Sequence, residues 1–210
     1  MSKSHSAPDP AELQRQVDQL NSELTKVRGF MQGMQDLSDS LQPTTQVAEL
    51  HELLSEVLRT ACQTIGARDA SLLVLDDETK ELVFILTRGD VPPEKLAWRR
   101  IPANEGIAGW VVKNQRATVV NNAQADERFY GQLDNELEFR TRSILAAPII
   151  GDTKVLGVIE ILNKVDGELF NLNDQMMLSL LCRFAGELLH TLTRRTLQNT
   201  RVRVPKLRPI

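Results

Sequence analysis

Between residues 163 and 174, the sequence NKVDGELFNLND brings an amide, a cation and a carboxylate to the junction of two patterns. Asn163 and Lys164 close the apolar run VLGVIEIL, and Asp174 stands where a helical pattern begins. A lysine at a strand end can reach a carboxylate at a helix start, where the helix dipole also favours negative charge. Asn163 can satisfy backbone groups of a loop. The pattern predicts a structural ion pair at a partly exposed rim of a sheet, not a catalytic pair.

Side chains that would support other chemistry are few and scattered. Cys62 and Cys182 both lie in apolar helical patterns, and the sequence holds no CxxC motif and no Cys/His cluster. A disulfide scaffold or a metal site is therefore disfavoured, and we expect two reduced, buried thiols in a cytoplasmic protein. The histidines, His5, His51 and His190, lie far apart in the sequence. With no Ser/His/Asp arrangement, the sequence does not predict an enzyme.

The composition is that of an ordinary globular protein and disfavours two classes of partner. The chain has 210 residues, of which 41% are apolar and 25% are charged, enough for one sizeable core plus an extension. A net charge of −3 and an aromatic content of 4% argue against nucleic-acid binding. The polar start MSKSHSAPDP lacks a signal-peptide core, and no run approaches the roughly 18 apolar residues of a membrane span. We expect neither nucleic acid nor membrane as a partner.

A long helical pattern, residues 10–42, follows a polar segment, residues 1–9, that we expect to be disordered. Apolar residues recur along it at alternating spacings of four and three: Leu13, Val17, Leu20, Leu24, Val27, Met31 and Met34. This narrow seam predicts a parallel homodimeric coiled coil, weakened by Gly29 and Gly33, each by roughly 1 kcal/mol. The alternative is a helix that packs on its own domain.

The remaining elements predict one α+β domain, residues 45–195. A helix after Pro43 precedes the hairpin ASLLVLDDETKELVFILTRG, a short glycine-opened helix and the core strands SILAAPII and KVLGVIEILNK. A last helix is capped by Asn171, with Asp174 close to a capping-box position. Helices at both ends predict a central antiparallel sheet flanked by N- and C-terminal helices. The basic tail, residues 196–210, is either a solvated arm or a segment that docks on a partner.

Four motifs, in this order, carry a resemblance to a known family: IPANEGIAGWVV, NNAQADERFY, RTRSILAAPI and VLGVIEILNK. Together they resemble a GAF domain over most of the chain, and in particular the regulatory GAF domains of cyclic-nucleotide phosphodiesterases and of cyanobacterial adenylyl cyclases. Those domains carry an Asn-Lys…Phe…Asp-Glu signature. The matching residues are Asn163, Lys164, Phe170 and Asp174, with Gln175 in place of the Glu. The resemblance implies that this structural clamp supports a pocket and the helix that carries the signal onward.

The resemblance also implies a ligand site in which a purine and a cyclic phosphate lie over the sheet and under the long polar loop. The positions carried over from the family are Ser71, Ile107, Ala108, Asp134, Thr141 and Glu160. Ile107 and Ala108 would present backbone N–H groups at a helix N-terminus, suited to an anion. Asp134 and Thr141 would hydrogen-bond base or phosphate. Glu160, in an otherwise apolar strand, faces either solvent or the pocket.

Three positions depart from the family pattern. Thr87 and Arg88 stand where the family often has Phe-Asp near the base, and Leu137 stands where a Thr is common. An arginine beside the base would change the purine preference or supply charge for a different anionic ligand. Bilin attachment would require a cysteine near the pocket loop, and none occurs between Cys62 and Cys182.

We therefore interpret the chain as a dimeric sensor, without catalytic activity, that binds a small ligand such as cAMP or cGMP. It is expected to signal through its terminal helices to an output protein, because the 210 residues contain no recognisable output domain. The alternative is a dimeric interaction module with a vestigial pocket, whose function resides in the coiled coil and the tail. No other cofactor is expected.

Overall fold

Six strands form one antiparallel sheet at the centre of the computed structural model, which describes residues 10–39 and 47–201. The strands are β1 (Ala67–Asp76), β2 (Glu81–Arg88), β3 (Arg100–Pro102), β4 (Thr118–Val120), β5 (Ile144–Gly151) and β6 (Lys154–Lys164). Their order across the sheet is β3-β2-β1-β6-β5-β4, and all neighbours run antiparallel. The predicted central antiparallel sheet is confirmed.

Helices from both ends of the chain cover one face of this sheet. The described residues form helices on both faces, namely α1 (Pro10–Asp39), α2 (Val47–Ile65), α3 (Pro93–Leu96), α4 (Gly106–Asn114), α5 (Gln132–Leu137) and α6 (Leu172–Arg201). Short 3-10 turns occupy Ala123–Ala125 and Val165–Gly167. α2 packs against β1 and α6, and α6 packs against β5. None of the helices in the described part of the chain is long and apolar enough to cross a membrane.

Two hydrophobic cores lie on opposite faces of the sheet. Leu72 of β1 and Ile159 of β6 pack against α2 and α6, whereas their neighbours Leu73 and Val158 pack against α3, α4 and the segment before β5. Because successive strand residues point to opposite faces, both faces of these central strands are buried. This explains why their sequences read as nearly continuous apolar runs.

The packing of α6 on β5 is closest at Gly186. A Cβ atom at this position would collide with the backbone carbonyl of Ile150, so only glycine allows the helix to approach the strand at this distance. α6 therefore has a fixed crossing point roughly halfway along its length.

The first helix forms over most of the predicted range, but its pairing with a second copy stays a prediction. α1 contacts α2, while Val17, Leu20 and Leu24 of the seam are 47%, 63% and 47% exposed. The predicted disordered start, the break at Pro43 and residues 202–210 lie outside the described residues. α6 continues to Arg201, which is within the range predicted for the basic tail.

Candidate functional site

A cavity of about 90 Å³ lies on the sheet face opposite α2 and α6. Strands β1, β2, β5 and β6 contribute to its floor, and α4, α5 and the chain around them form its walls. It brings together all the positions inferred for ligand binding: Ser71, Thr87, Arg88, Ile107, Ala108, Asp134, Leu137, Thr141 and Glu160. Their direct contact with a ligand stays a prediction, and their common location is a property of the fold.

Three polar side chains form a row across the floor of this cavity. Ser71 on β1 pairs directly with Thr87 on β2 and with Glu160 on β6. Directly paired residues share a face of the sheet, and neighbouring strands are roughly 4.8 Å apart. The alternative left open for Glu160 is thereby resolved, because its side chain faces the cavity.

None of these three side chains forms a hydrogen bond or an ion pair with another described residue, although Ser71 is only 5% exposed. Burial raises the pKa of Glu160 to about 7, because the charged form loses hydration without gaining a partner. Buried polar groups normally have hydrogen-bond partners. As far as the described residues go, the row is thus a set of polar groups available to a ligand in the cavity.

The N-terminus of α4 supplies backbone donors to the same cavity. The first turn contains Gly106, Ile107 and Ala108, all of which line the cavity. Glu105, the N-cap residue, makes no side-chain hydrogen bond to this turn. The N–H groups of the first turn of a helix have no acceptor within the helix, and together with the dipole they favour an anion. The geometry therefore suits an anionic group at this end of the cavity.

The cover over the cavity is held by its own polar contacts. Asp134 on α5 accepts hydrogen bonds from the backbone N–H of Thr141 (2.8 Å), the Thr141 hydroxyl (2.7 Å) and the Gln124 amide (3.0 Å). Gln124 also donates to the Thr141 carbonyl. Asp134 and Thr141 therefore fix the segment between α5 and β5. A direct contact of either residue with a ligand stays a prediction.

Several lining residues escaped the sequence reasoning. Phe129 and Tyr130 on the cover are half-buried and line the cavity, as does Leu133 on α5. Their signal was the aromatic pair that ends DERFY within an otherwise polar loop. Asp69 lies two residues before Ser71 on the same face of β1. It also lines the cavity and is 8% exposed.

Arg88 borders the cavity instead of lying beside its floor. It pairs with Ala70, one position from the Ser71–Thr87 pair, so strand alternation directs it to the opposite face. There its charge lies near Cys62, where burial raises the pKa of the thiol to about 11 and Arg88 opposes that rise. Cys62 and Cys182 are free and buried. No group of three or more His, Cys, Asp or Glu residues suited to a metal occurs in the described ranges.

The predicted clamp forms, but it is buried. Lys164 Nζ lies 2.8 Å from Asp174 Oδ2, and each side chain is 3% exposed. This corrects the expectation of a partly exposed rim. The segment that follows β6 contributes to the burial, because Lys164 Nζ also lies 3.5 Å from the Leu169 carbonyl and 3.5 Å from Glu168 Oε2. Asp174 also accepts the backbone N–H of Asn171, whose own side chain accepts the N–H of Asp174. This reciprocal pair is the predicted capping box at the start of α6.

Asn163 and two amide side chains that sequence reasoning did not assign hold the surrounding chain. Asn163 accepts the N–H of Arg142 (2.7 Å) and donates to the Arg140 carbonyl (3.0 Å). Asn121, after β4, donates to and accepts from the backbone of Phe170, whose side chain is 3% exposed. Gln175 donates to the Ala117 carbonyl (2.9 Å). A Glu at position 175 would not supply this donor.

Comparison with known proteins shows which family and which relatives the chain resembles. A family model described as GAF domain matches residues 47–190. A probable 3',5'-cyclic phosphodiesterase, pde-5, of Caenorhabditis elegans is 28% identical over 152 residues, covering 69% of this chain and 21% of that protein. A dual 3',5'-cyclic-AMP and -GMP phosphodiesterase 11A of Takifugu rubripes is 25% identical over 166 residues, covering 75% of this chain and 18% of that protein. The chain thus spans about a fifth of the length of these two relatives.

Among solved structures, the GAF domain of a phosphoenolpyruvate-protein phosphotransferase from Coxiella burnetii superposes with a TM-score of 0.69 at 20% identity. The match covers 83% of this chain and 98% of that one. At this level of identity the superposition supports the fold alone.

Proposed function

The chain belongs to the GAF domain family, and from this premise we propose that it is a sensor that binds a cyclic purine nucleotide in the cavity beneath α4 and α5. One observation carries the proposal. The cavity combines a row of polar side chains, Thr87, Ser71 and Glu160, with the N–H groups at the start of α4, and within residues 10–39 and 47–201 neither set has a hydrogen-bond partner. A purine nucleotide has the matching parts: an anionic phosphate, and a base and sugar rich in hydrogen-bonding groups.

The relatives support a cyclic nucleotide as the ligand class. Both phosphodiesterases are named for 3',5'-cyclic substrates, and one is named for cyclic AMP and cyclic GMP together. The match lies in a region that accounts for about a fifth of each enzyme. We therefore carry over binding of cAMP or cGMP and do not carry over hydrolysis.

The size of the cavity requires movement on binding. Its volume of about 90 Å³ is below the roughly 300 Å³ at the lower end for small-molecule pockets. The floor belongs to the central sheet, which packs against other elements on both faces, whereas the cover, residues 129–139, consists of half-buried and exposed residues. Binding is therefore expected to displace α5 and the Phe129–Tyr130 pair outward, with the sheet unchanged.

Output is proposed to pass through the terminal helices. α6 begins at the clamp, and Asn163, the neighbour of Lys164 in the chain, bonds Arg140 and Arg142 just after the cavity cover. α1 presents the exposed seam at Val17, Leu20 and Leu24. In this proposal a parallel homodimer forms along α1, and a separate output protein responds to α6. The buried free thiols support a cytoplasmic location.

Calorimetry with cAMP and cGMP tests the proposal on protein from which mass spectrometry detects no released nucleotide. The variant Thr87→Val removes a hydroxyl from the cavity floor, and the matched control Thr118→Val changes a half-buried strand threonine outside it. Wild type is expected to bind at least one nucleotide. Thr87→Val is expected to weaken that binding about fivefold, the value of one hydrogen bond, while Thr118→Val leaves it unchanged.

The second candidate is an interaction module with a vestigial pocket, which the small cavity and the exposed α1 seam favour. Neither heat nor a thermal shift with cAMP, cGMP or cyclic dinucleotides at millimolar concentration would support this candidate against the sensor.

A further inference from the structure

We propose that Asp69 is the residue that selects the base of the nucleotide, and that it selects guanine over adenine. This inference rests on the proposed nucleotide site and adds a recognition residue to it. It also assigns base selection to β1, whereas the sequence pattern directed attention to Arg88 at the end of β2.

The Asp69 carboxylate is held in place by a hydrogen bond to one of its two oxygen atoms, which leaves the other available. Oδ1 accepts the backbone N–H of Asp90 at 2.8 Å, while Oδ2 has no hydrogen-bond partner in the described part of the chain. The side chain is 8% exposed and lines the cavity. A Cβ atom at Gly89 would collide with Oδ1, so the loop after β2 closes directly onto this carboxylate. An oxygen atom is thus held at the cavity wall as an acceptor.

The position of Asp69 suits contact with the base of a nucleotide. α4, the anion-suited end of the site, packs against β5 and β6. Asp69 lies on β1, beside the loop that follows β2. A nucleotide with its phosphate at α4 and its sugar over Glu160 and Ser71 would extend its base to the far end of this row, where Thr87 lies across on β2 and Asp69 lies two residues before Ser71 on the same face of β1.

The chemistry of a carboxylate discriminates between the two purines. An ionised carboxylate only accepts hydrogen bonds. The Watson–Crick edge of guanine offers adjacent N1–H and N2–H donors, whereas adenine offers an acceptor, N1, beside its N6 amine. Oδ2 can therefore bond N1–H of guanine but faces the lone pair of adenine N1. The hydroxyls of Ser71 and Thr87 rotate to donate or accept, so they do not discriminate.

The surrounding charges are compatible with this role. The charged groups that line the cavity with Asp69 are Arg88, Asp134 and Glu160. Arg88 points to the other face, and Asp134 is occupied by Thr141 and Gln124. Burial raises the pKa of Asp69, while the N–H of Asp90 and the charges of Arg68 and Arg142 oppose the rise. A ligand N–H at Oδ2 would supply a second stabilising donor for the ionised form.

The variant Asp69→Asn gives a sharp test because it changes one atom. The amide oxygen can still accept the N–H of Asp90, and the nitrogen then stands in place of Oδ2 as a donor to adenine N1. Dissociation constants for cGMP and cAMP are measured by calorimetry on the full chain. Wild type is expected to favour cGMP about tenfold or more, and the ratio is expected to fall at least about tenfold in Asp69→Asn.

A control and a rival variant make the comparison specific. The control, Asp90→Asn, makes the same chemical change at the residue whose backbone N–H bonds Asp69 but whose side chain is outside the cavity lining, and it is expected to keep the wild-type ratio. Arg88→Gln tests the rival assignment of base selection to Arg88, and it is expected to change the ratio less than Asp69→Asn does, because Arg88 pairs with Ala70 and points to the other face. A ratio that changes in Arg88→Gln but not in Asp69→Asn would overturn the inference.

A second readout needs no variant. Cyclic IMP keeps the N1–H of guanine and lacks its N2 amine, so wild type is expected to rank cGMP, then cyclic IMP, then cAMP. Binding of cAMP as tight as that of cyclic IMP would overturn base selection by Asp69 while leaving the nucleotide site intact. Absence of binding by all three nucleotides would instead overturn the proposed function, and this inference with it.

Discussion

Lys164 Nζ lies 2.8 Å from Asp174 Oδ2, and each of the two side chains is only 3% exposed. The pair joins the last residue of β6 to the first turn of α6. A buried ion pair of this kind is costly to break on one side, because the remaining charge stays in a poorly solvated place.

Removing one partner of this pair is expected to destabilise the domain strongly. Lys164→Ala and Asp174→Ala should each lower the free energy of unfolding by about 3–5 kcal/mol, as measured by urea denaturation. The exposed pair Lys80–Asp77, at 3.7 Å and 73% exposure on both sides, provides the control, and Asp77→Ala should cost less than about 1 kcal/mol. A double-mutant cycle that gives additive losses for Lys164 and Asp174 would contradict the coupling.

Replacing Glu160 is expected to change how stability depends on pH. The native pKa of about 7 exceeds the ordinary 4.5, so the folded protein binds the proton more tightly and wild-type stability falls as pH rises between these values. The variant Glu160→Gln cannot bind this proton and therefore lacks this pH dependence of stability. Its free energy of unfolding should exceed that of wild type by at most about 3 kcal/mol above pH 7 and match it below pH 4.5.

The matched control for this experiment is Glu78→Gln, an exposed acid in the turn between β1 and β2. Its stability should follow the wild-type curve at every pH. Parallel curves for wild type and Glu160→Gln would show that the Glu160 carboxylate is hydrated and not buried.

Gly89 and Gly167 both have a backbone conformation that favours glycine, and only Gly89 adds a steric collision. Both have positive φ, +128° and +72°, but a Cβ at Gly89 collides with Asp69, whereas at Gly167 nothing lies within 4 Å. Gly167→Ala should therefore cost about 1 kcal/mol. Gly89→Ala should cost about 3 kcal/mol and also displace the Asp69 carboxylate. Equal losses in thermal or urea unfolding would show that the loop after β2 adapts.

The exposed apolar seam of α1 predicts a homodimer, and introducing one charged residue into this seam is expected to disrupt it. Leu20 is 63% exposed on the seam, and Ser22 is exposed two residues away, on the opposite side of the helix. Leu20→Glu should shift sedimentation toward the monomer, because it places two charges against each other across a parallel seam. Ser22→Glu should leave the dimer intact. A wild-type monomer at tens of micromolar would contradict the homodimer.

Local patterns in the sequence were sufficient for most of the fold. The apolar runs around Leu73 and Ile159 predicted strands, and the chemistry of Asn171 and Asp174 predicted the start of α6, because these signals depend on neighbours in the chain. The structure differs from the sequence-based prediction where a long polar segment folds back. Whether Lys164 is buried, and whether Asp134 bonds Thr141, depend on how the chain crosses the sheet, and no periodicity encodes that crossing.

The candidate site was also only partly predictable from the sequence. Family resemblance gave positions on the floor, on α4 and on the cover, and all of them line one cavity. It did not give Asp69, whose importance arises from the approach of Gly89, nor the opposite facing of Arg88. Both follow from strand alternation and the pairing register of β1 with β2, which are fixed only when the sheet forms.

The crossing of α6 over β5 at Gly186 has a mechanical consequence. Of the 30 residues of α6, similar numbers precede and follow this point, so the helix is a lever with nearly equal arms and a fulcrum at the contact with Ile150. One arm is tethered to the sheet through Asp174 and Lys164. Each arm is about 20 Å long at a rise of about 1.5 Å per residue. A tilt imposed at the tethered end would therefore reappear at Arg201 with similar amplitude and opposite direction.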